Sequence, residues 1–201
     1  MALKQFKPYT KSSRSTILVD RSGLWKGKPF KSLTSPNKSV KGRNNMGRIT
    51  SRNHGGGHKQ KYRIIDFYRK KSDVFGTIER IEYDPNRSCH IMLVKFDDGE
   101  MAYYLAPQKI KVGDKIKNGS NAEIKVGNSL PLKDIPVGID IHNIELQPGA
   151  GGKIARAAGA HVTISGTDGN YSIIKMTSGE VRKIDSRCLA TIGVISNPDQ
   201  K

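Results

Sequence analysis

Val74-Phe75-Gly76-Thr77-Ile78-Glu79-Arg80-Ile81-Glu82-Tyr83, running into the turn Asp84-Pro85-Asn86-Arg87, is the stretch from which the fold is read. Apolar and polar residues alternate along it, so one face is offered to a core and the other to water, which is the period of a strand. Proline between aspartate and asparagine then sets a tight turn. Residues 90–96 read as the next strand and residues 101–105 as its hairpin partner, because Asp97-Asp98-Gly99-Glu100 between them accepts the positive φ such turns require. Upstream, Tyr62-Arg63-Ile64-Ile65-Asp66-Phe67-Tyr68-Arg69 is also expected to be extended, being rich in β-branched and aromatic residues. Short strands separated by turn signals predict an all-β chain with a small barrel over residues 61–125.

Leu130-Pro131 and Ile135-Pro136 interrupt the pattern and are expected to form a linker to a second compact unit, since proline cannot donate to a ladder. Residues 126–201 resume the short-strand pattern at 141–146, 161–165, 171–176, 180–184 and 190–195, with hairpins at Asp168-Gly169 and Ser178-Gly179. Only residues 154–158 read as helical, for about one turn.

Charge divides the chain differently. Its formal +17 is confined to the first 71 residues, which carry 19 Lys and Arg against only Asp20 and Asp66, while the rest is neutral. An arm so dense in cations gains free energy by displacing counterions from a phosphate backbone, so the partner implied is a polyanion. Residues 1–60 show neither the helical nor the strand period, and Leu18, Val19, Leu24, Trp25 and Phe30 are their only anchors. The arm is therefore expected to stay extended or mobile until a polyanion orders it. Two cysteines, Cys89 and Cys188, make no disulfide framework and fit a reducing compartment. No run approaches the ~18 apolar residues of a membrane span and the first residues lack the apolar core of a secretory signal, so a soluble intracellular protein without a membrane partner is expected.

The densest chemical signal is residues 42–61. Arg43, Arg48, Arg52, Lys59 and Lys61 can contact phosphates, and Asn44, Asn45 and Asn53 can hydrogen-bond base edges or sugars. Gly55, Gly56 and Gly57 let backbone amides approach a phosphate or ribose with no Cβ in the way. His54 and His58 stand four apart, yet the glycines between them disfavour a helix and no Glu or Cys completes a metal site. Stacking on a base or bonding to phosphate is the role expected of them, and no metal is. Arg63, Arg69, Lys70, Asn86 and Arg87 in the first unit, and Arg182, Lys183 and Arg187 in the second, are further candidate RNA contacts.

Pro148-Gly149-Ala150-Gly151-Gly152-Lys153-Ile154-Ala155-Arg156 resembles a phosphate-cradling loop only superficially: a Walker loop needs glycine where Gln147 stands and Ser or Thr where Ile154 stands. What remains is a turn at Gly151 and Gly152 that feeds Lys153 and Arg156 into a short helical turn beside a phosphodiester backbone, or simply a glycine turn between strands. No catalytic constellation emerges. His90 and His142 read as half-buried or surface strand residues, the cysteines lack an activating partner, and the carboxylates fall mainly in turns where solvated acids belong. Neither an enzymatic role nor a cofactor is expected.

Gly42-Arg43-Asn44-Asn45-x-Gly47-Arg48-Ile49-Thr50, followed by Gly55-Gly56-Gly57-His58-Lys59, resembles the large-subunit ribosomal protein L-two family, bacterial and organellar. The resemblance continues in family order through Glu82-Tyr83-Asp84-Pro85-Asn86-Arg87, Leu105-Ala106-Pro107, Gly127-Asn128-x-Leu130-Pro131, Ile135-Pro136-Val137-Gly138, Ala155-Arg156-x-Ala158-Gly159 and Ser178-Gly179-Glu180-x-Arg182-Lys183. It implies an extended basic arm over residues 1–60, an OB-type barrel over 61–125 and an SH3-like barrel over 126–201. It also implies a non-catalytic structural role on large-subunit rRNA, beside other large-subunit ribosomal proteins, in assembly and translation. The alternative is a free-standing OB-type single-strand-binding or regulatory module, for which Tyr68, Phe75, Tyr83, Phe96, Tyr103 and Tyr104 would be the stacking platforms; core packing is expected for most of them. Family members continue into a basic, Gly- and His-rich C-terminal segment, whereas this sequence ends at Lys201. A split gene, with a separate polypeptide supplying that segment, or a truncation is expected. Lys outnumbers Arg 23 to 12, as in AT-rich genomes, which with the short end favours a mitochondrial-matrix ribosome over a bacterial cytoplasm.

Overall fold

The computed structural model describes residues 3–37, 41–55 and 57–200. Strands β1 (Leu3–Gln5) and β2 (Ile17–Val19) form a ribbon with Leu3 opposite Val19, joined through the one-turn helix α1 (Lys11–Arg14). Thr10 caps that turn: its hydroxyl accepts from the Ser13 N–H, and the Ser13 hydroxyl accepts from the Thr10 N–H. A second ribbon pairs β3 (Thr34–Pro36) with β4 (Lys61–Arg63). The arm is thus not structureless through residue 60. Two of its expected anchors explain why: the Trp25 N–H donates to the Ile81 carbonyl at 2.8 Å and the Phe30 N–H to the Tyr103 hydroxyl at 2.9 Å. Phe30 and Leu33 then pack against Ile65, Ile91, Leu93, Tyr103 and Leu105, so burial against the barrel supplies the ordering that the sequence left to a polyanion.

The first barrel is built on β5 (Phe75–Glu82), β6 (Ile91–Phe96), β7 (Met101–Leu105) and β8 (Lys115–Lys117), antiparallel in the order β7-β6-β5-β8. The expected hairpin is present, with Lys95 opposite Met101 and Gly99 at φ +85° in its turn. A bulge between Ile78 and Arg80 bends β5, whose first residues pair with β8 on one side and with β6 on the other. Ile91, Met92, Leu93 and Val94 are all fully buried, because β6 has one core on each face. Residues 62–69 are not the single strand expected. Ile65 makes one bridge to Tyr103, and the Asp66 carboxylate then turns the chain by accepting the Tyr68 and Arg69 N–H groups at 2.9 and 3.2 Å, with Arg69 at φ +53°.

The second unit comprises β9 (Ser129–Pro131), β10 (Asp140–His142), β11 (Ile144–Glu145), β12 (Gly152–Ile154), β13 (Val162–Asp168), β14 (Tyr171–Met176), β15 (Val181–Asp185) and β16 (Leu189–Ile192). Six of them form a sheet in the order β15-β14-β13-β10-β16-β9, and β11 pairs with β12 beside it. The chain is all-β, an OB-type barrel followed by an SH3-like one. Two expectations are corrected here. The prolines do not mark a linker: Pro131 ends the edge strand β9 opposite Leu189, where no ladder donor is needed, and Leu130, Leu132 and Ile135 are buried in the second core. Residues 154–158 are not helical either, since Ile154 pairs with Ile144 and Ala155 sits at φ +52°.

The two barrels interlock. Past β16 the chain returns to the first one: Gln108 N–H donates to the Val194 carbonyl at 2.7 Å, Ser196 N–H to the Ala106 carbonyl at 3.0 Å, and Ile195 is fully buried in the first barrel's core. Among the described residues no helix is long and apolar enough to cross a membrane.

Candidate RNA interface

Residues 42–51 close on one oxygen. The Gly42 carbonyl accepts the Thr50 and Ser51 N–H groups at 2.8 and 3.1 Å, and the Asn44 side-chain oxygen accepts the Arg48 N–H at 2.9 Å. Gly42 is required there, at φ +60° with a Cβ placed 2.2 Å from the Ser51 carbonyl oxygen. Arg43 donates to the Gly47 carbonyl at 2.7 Å. The product is a preformed loop on which Arg43, Asn44, Asn45 and Arg48 are exposed, as are Arg52, Asn53 and His54 after it, and an open bowl of about 690 Å³ lies against Arg43, Arg52, Asn53 and His54. Gly55 and Gly57 are exposed beside it, Lys59 and Lys61 follow, and the His58 Nδ1 lies 3.1 Å from the Lys59 carbonyl oxygen. Gly56 falls outside the described residues. Among the described residues none of Arg43, Arg48, Arg52, Lys59 and Lys61 pairs with a carboxylate, so their charge is available to a polyanion.

A second concentration lies at the seam between the barrels. Two arginines approach the Phe67 ring: Arg87, from the turn after β5, and Arg156, from just past β12, whose guanidinium carbons lie 5.9 and 4.7 Å from its centroid. Both are within cation–π reach, and Arg87 is also 5.7 Å from the Tyr62 ring. Burial works against the charge on Arg87, but its Nε donates to the fully buried Asp84 carboxylate at 2.5 Å, and the net effect is to raise its pKa. Gly152 N–H donates to the Phe67 carbonyl at 2.9 Å, which pins β12 to this segment. The half-exposed Tyr68 ring lies against the backbone of Gly151, where an added Cβ would meet it at 3.2 Å, and the Lys70 ammonium is 5.3 Å from that ring. Lys153 and Arg156 are exposed.

Several expectations change at this seam. The amides of the glycine turn are not offered outward, because the buried Glu145 carboxylate accepts the N–H groups of Gly149, Gly151 and Leu189 at 3.1, 2.9 and 3.1 Å. Nor do the carboxylates all lie in solvated turns, since Glu82, Asp84 and Glu145 are buried. Arg69 is turned inward, its guanidinium 3.7 Å from the Tyr104 centroid and 3.4 Å from the Asn118 oxygen, and burial holds its pKa down. Arg63 is also buried and donates to the Lys61 carbonyl. The Asn86 amide is spent on the Lys61 carbonyl at 2.7 Å and on Asp84.

In the second unit Arg182 pairs with Glu180 at 2.6 Å, Lys183 with Asp168 at 2.6 Å and Arg187 with Asp185 at 2.7 Å. Hydrogen bonding from Arg187 pulls the Asp185 pKa down to about 2. These exposed pairs add little stability and cancel the charge that made the three cations candidates. His90 and His142 are buried rather than half-buried, and burial pushes the His142 pKa down to about 3. Burial pushes both cysteine thiols up to about 11, far from a thiolate nucleophile at neutral pH.

Aromatic partners of the cations were not all foreseen. Phe96, Tyr103 and Tyr104 are core residues, but Tyr68, Phe75 and Tyr83 are about half exposed, each with a cation over its ring. Phe67 was missed, although an aromatic doublet running into Arg69-Lys70-Lys71 is its signal in the sequence.

Known proteins give matching results. The family described as Ribosomal Proteins L2, RNA binding N-terminal domain, matches residues 30–118, and that described as Ribosomal Proteins L2, C-terminal domain, matches residues 125–201. Large ribosomal subunit protein uL2 of Pelagibacter ubique is 78% identical over 202 residues, covering 100% of this chain and 72% of its own. Its counterparts in Granulibacter bethesdensis and Rickettsia typhi are 59% and 56% identical, covering 99% and 100% of this chain and 72% and 74% of theirs. All three relatives come from bacteria, which favours the bacterial setting over the mitochondrial one expected from composition.

Proposed function

Because the chain belongs to the ribosomal protein L2 family, we propose that it is a structural constituent of the large subunit of a bacterial ribosome, binding large-subunit rRNA and supporting subunit assembly and translation. Its arm and barrels contact rRNA beside other large-subunit proteins, and no side chain makes or breaks a bond. The observation that carries this is the distribution of uncompensated charge. Among the described residues, cations that pair with no carboxylate cluster on the preformed loop of residues 42–51 and, as Lys70, Lys153 and Arg156, at the aromatic seam around Phe67, where Arg87 is held by Asp84, while Arg182, Lys183 and Arg187 on the second barrel are paired with carboxylates. Adjacent matches to both family domains favour this over a free-standing single-strand-binding module. Within this proposal the RNA contacts are Arg43, Asn44, Asn45, Arg48, Arg52, His54, Lys59, Lys61, Lys70, Arg87, Lys153 and Arg156.

The test is salt dependence. Replacing Arg43, Arg48 and Arg52 together by Ala is expected to weaken binding to a large-subunit rRNA transcript and to lower the slope of log K against log salt by ~2 to 3 units. An unchanged slope in filter-binding titrations means that these side chains do not neutralise phosphates.

A further inference from the structure

The seam brings two arginines from different barrels within cation–π reach of the one Phe67 ring, and long side chains meet in this way only if their backbones are held in register. Three contacts hold them. The Ala158 N–H donates to the Ser88 hydroxyl at 3.1 Å, the Cys89 thiol reaches the Arg156 carbonyl at 3.5 Å, and the Asn197 side-chain amide donates to the Ser88 carbonyl at 2.6 Å. Ser88 follows Arg87 directly and Ala158 lies two residues past Arg156, so the stitching falls next to the cations themselves. Asn197 is buried and left-handed at φ +64°, carried back to the first barrel by the segment that inserts Ile195. The neighbouring Ser196 hydroxyl accepts the His90 N–H at 3.1 Å, so residues 88–90 are gripped from both sides.

We propose that Ser88 and Asn197 are positioning residues for RNA recognition: they fix the register at which Arg87 and Arg156 present their guanidinium groups to a single stretch of RNA phosphate backbone. The proposal rests on the reading of the chain as an rRNA-binding protein with a contact at this seam. Neither residue touches RNA through a charge. Ser88 is solvent-exposed, so removing its hydroxyl leaves both cores untouched. With the hydroxyl gone, the Ala158 N–H loses its partner, and the two contacts that remain are expected to hold the arginine-bearing turns less closely in register. A cost in RNA affinity follows, with little cost in folding.

The experiment uses the full chain and an in vitro transcript of bacterial large-subunit rRNA, with affinity from filter binding and folding from thermal melts. Ser88→Ala is expected to melt near the parent yet lose about fivefold in affinity, the equivalent of one hydrogen bond. Ser88→Thr, which keeps the hydroxyl, is expected to stay near the parent, and Asn197→Ala, at a buried left-handed position, to lose affinity like Ser88→Ala but also to melt lower. In an Arg156→Ala background the Ser88→Ala loss is expected to vanish, because there is no longer a pair to align. Parental affinity for Ser88→Ala, the same fivefold loss without Arg156, or a loss confined to variants whose melting temperature drops would each overturn the positioning role. If the parent binds rRNA but Arg156→Ala binds as well as the parent, the seam is not a contact and this proposal falls while the ribosomal reading stands. If the parent itself does not bind the transcript, both fall.

Discussion

Glu145 shows how one side chain settles what a glycine-rich segment does. Its carboxylate is 2% exposed and accepts three backbone N–H groups, two from the turn and one from Leu189. An amide of the same shape turns a donor toward one of them. Glu145→Gln is therefore expected to cost about 1–3 kcal/mol, read as a lower urea midpoint. A cost below ~0.5 kcal/mol would mean that water satisfies those amides instead. Gly152, a few residues on, is constrained by space rather than by φ. A Cβ there would stand 2.2 Å from the Asn143 side-chain oxygen and 2.6 Å from its carbonyl oxygen, and Asn143 is itself buried at φ +50°. Gly152→Ala is expected to cost ~1–3 kcal/mol by thermal denaturation. Gly166→Ala, with nothing within 4 Å of the added carbon, is expected to change stability by no more than ~0.5 kcal/mol. Equal costs at the two positions would locate the effect in glycine's backbone entropy and not in the Asn143 contact.

At the scale of elements, the arm divides into a loosely held ribbon and a docked strap. In β1 and β2, Leu3, Ile17 and Leu18 are about half exposed, and a lone two-stranded ribbon is marginal in water. Phe30 and Leu33, by contrast, pack on the first barrel. Limited trypsin digestion of the RNA-free chain is expected to cut in residues 7–21 and 41–59 and to leave the Phe30 peptide co-eluting with the barrels. Loss of that peptide would show that the docking contacts do not hold in solution. The same division explains what could be read from the sequence. Most strands of five residues or more, bounded by turn dipeptides, were legible: β5, β6, β7, β14 and β15 lie within a residue of where the alternation puts them, while β13 runs three residues past the expected 165, beyond a bulge between Ile164 and Gly166. The three-residue strands β3, β4 and β12 were not, because three residues carry no period and their pairing is decided by the fold. Among candidate contacts, the loop cations were legible because no acid lies near them in the sequence. The inward turn of Arg69 was not, since Tyr104 and Asn118, which receive it, are distant along the chain.

Across the whole molecule the barrels act as one unit, and a buried histidine beside their junction makes its stability depend on pH. His142 is fully buried on β10, with Nδ1 2.7 Å from the carbonyl oxygen of Gly193, just ahead of the segment that returns to the first barrel. Burial drives its pKa down from 6.5 to about 3, opposed by the hydrogen bond to Gly193 and reinforced by the positive charge of Arg69. In the unfolded chain the ring titrates at its ordinary value. Above pH 6.5 the ring is neutral in both states and the folded protein keeps its full stability. As the pH falls below that, the unfolded chain takes up a proton that the folded chain refuses. Stability then drops by about 1.4 kcal/mol per pH unit until the folded ring is protonated as well. His90, whose pKa is also lowered by burial and by Arg21, acts in the same direction. Between pH 6.5 and 5, above the carboxylate range, the unfolding free energy from urea titrations is therefore expected to fall steadily. His142→Gln carries no titrating ring and is expected to reduce that slope by one proton, whatever it does to stability at pH 7. A slope unchanged in the variant would assign the acid sensitivity to other groups and would mean that the His142 ring gains access to solvent in the native state.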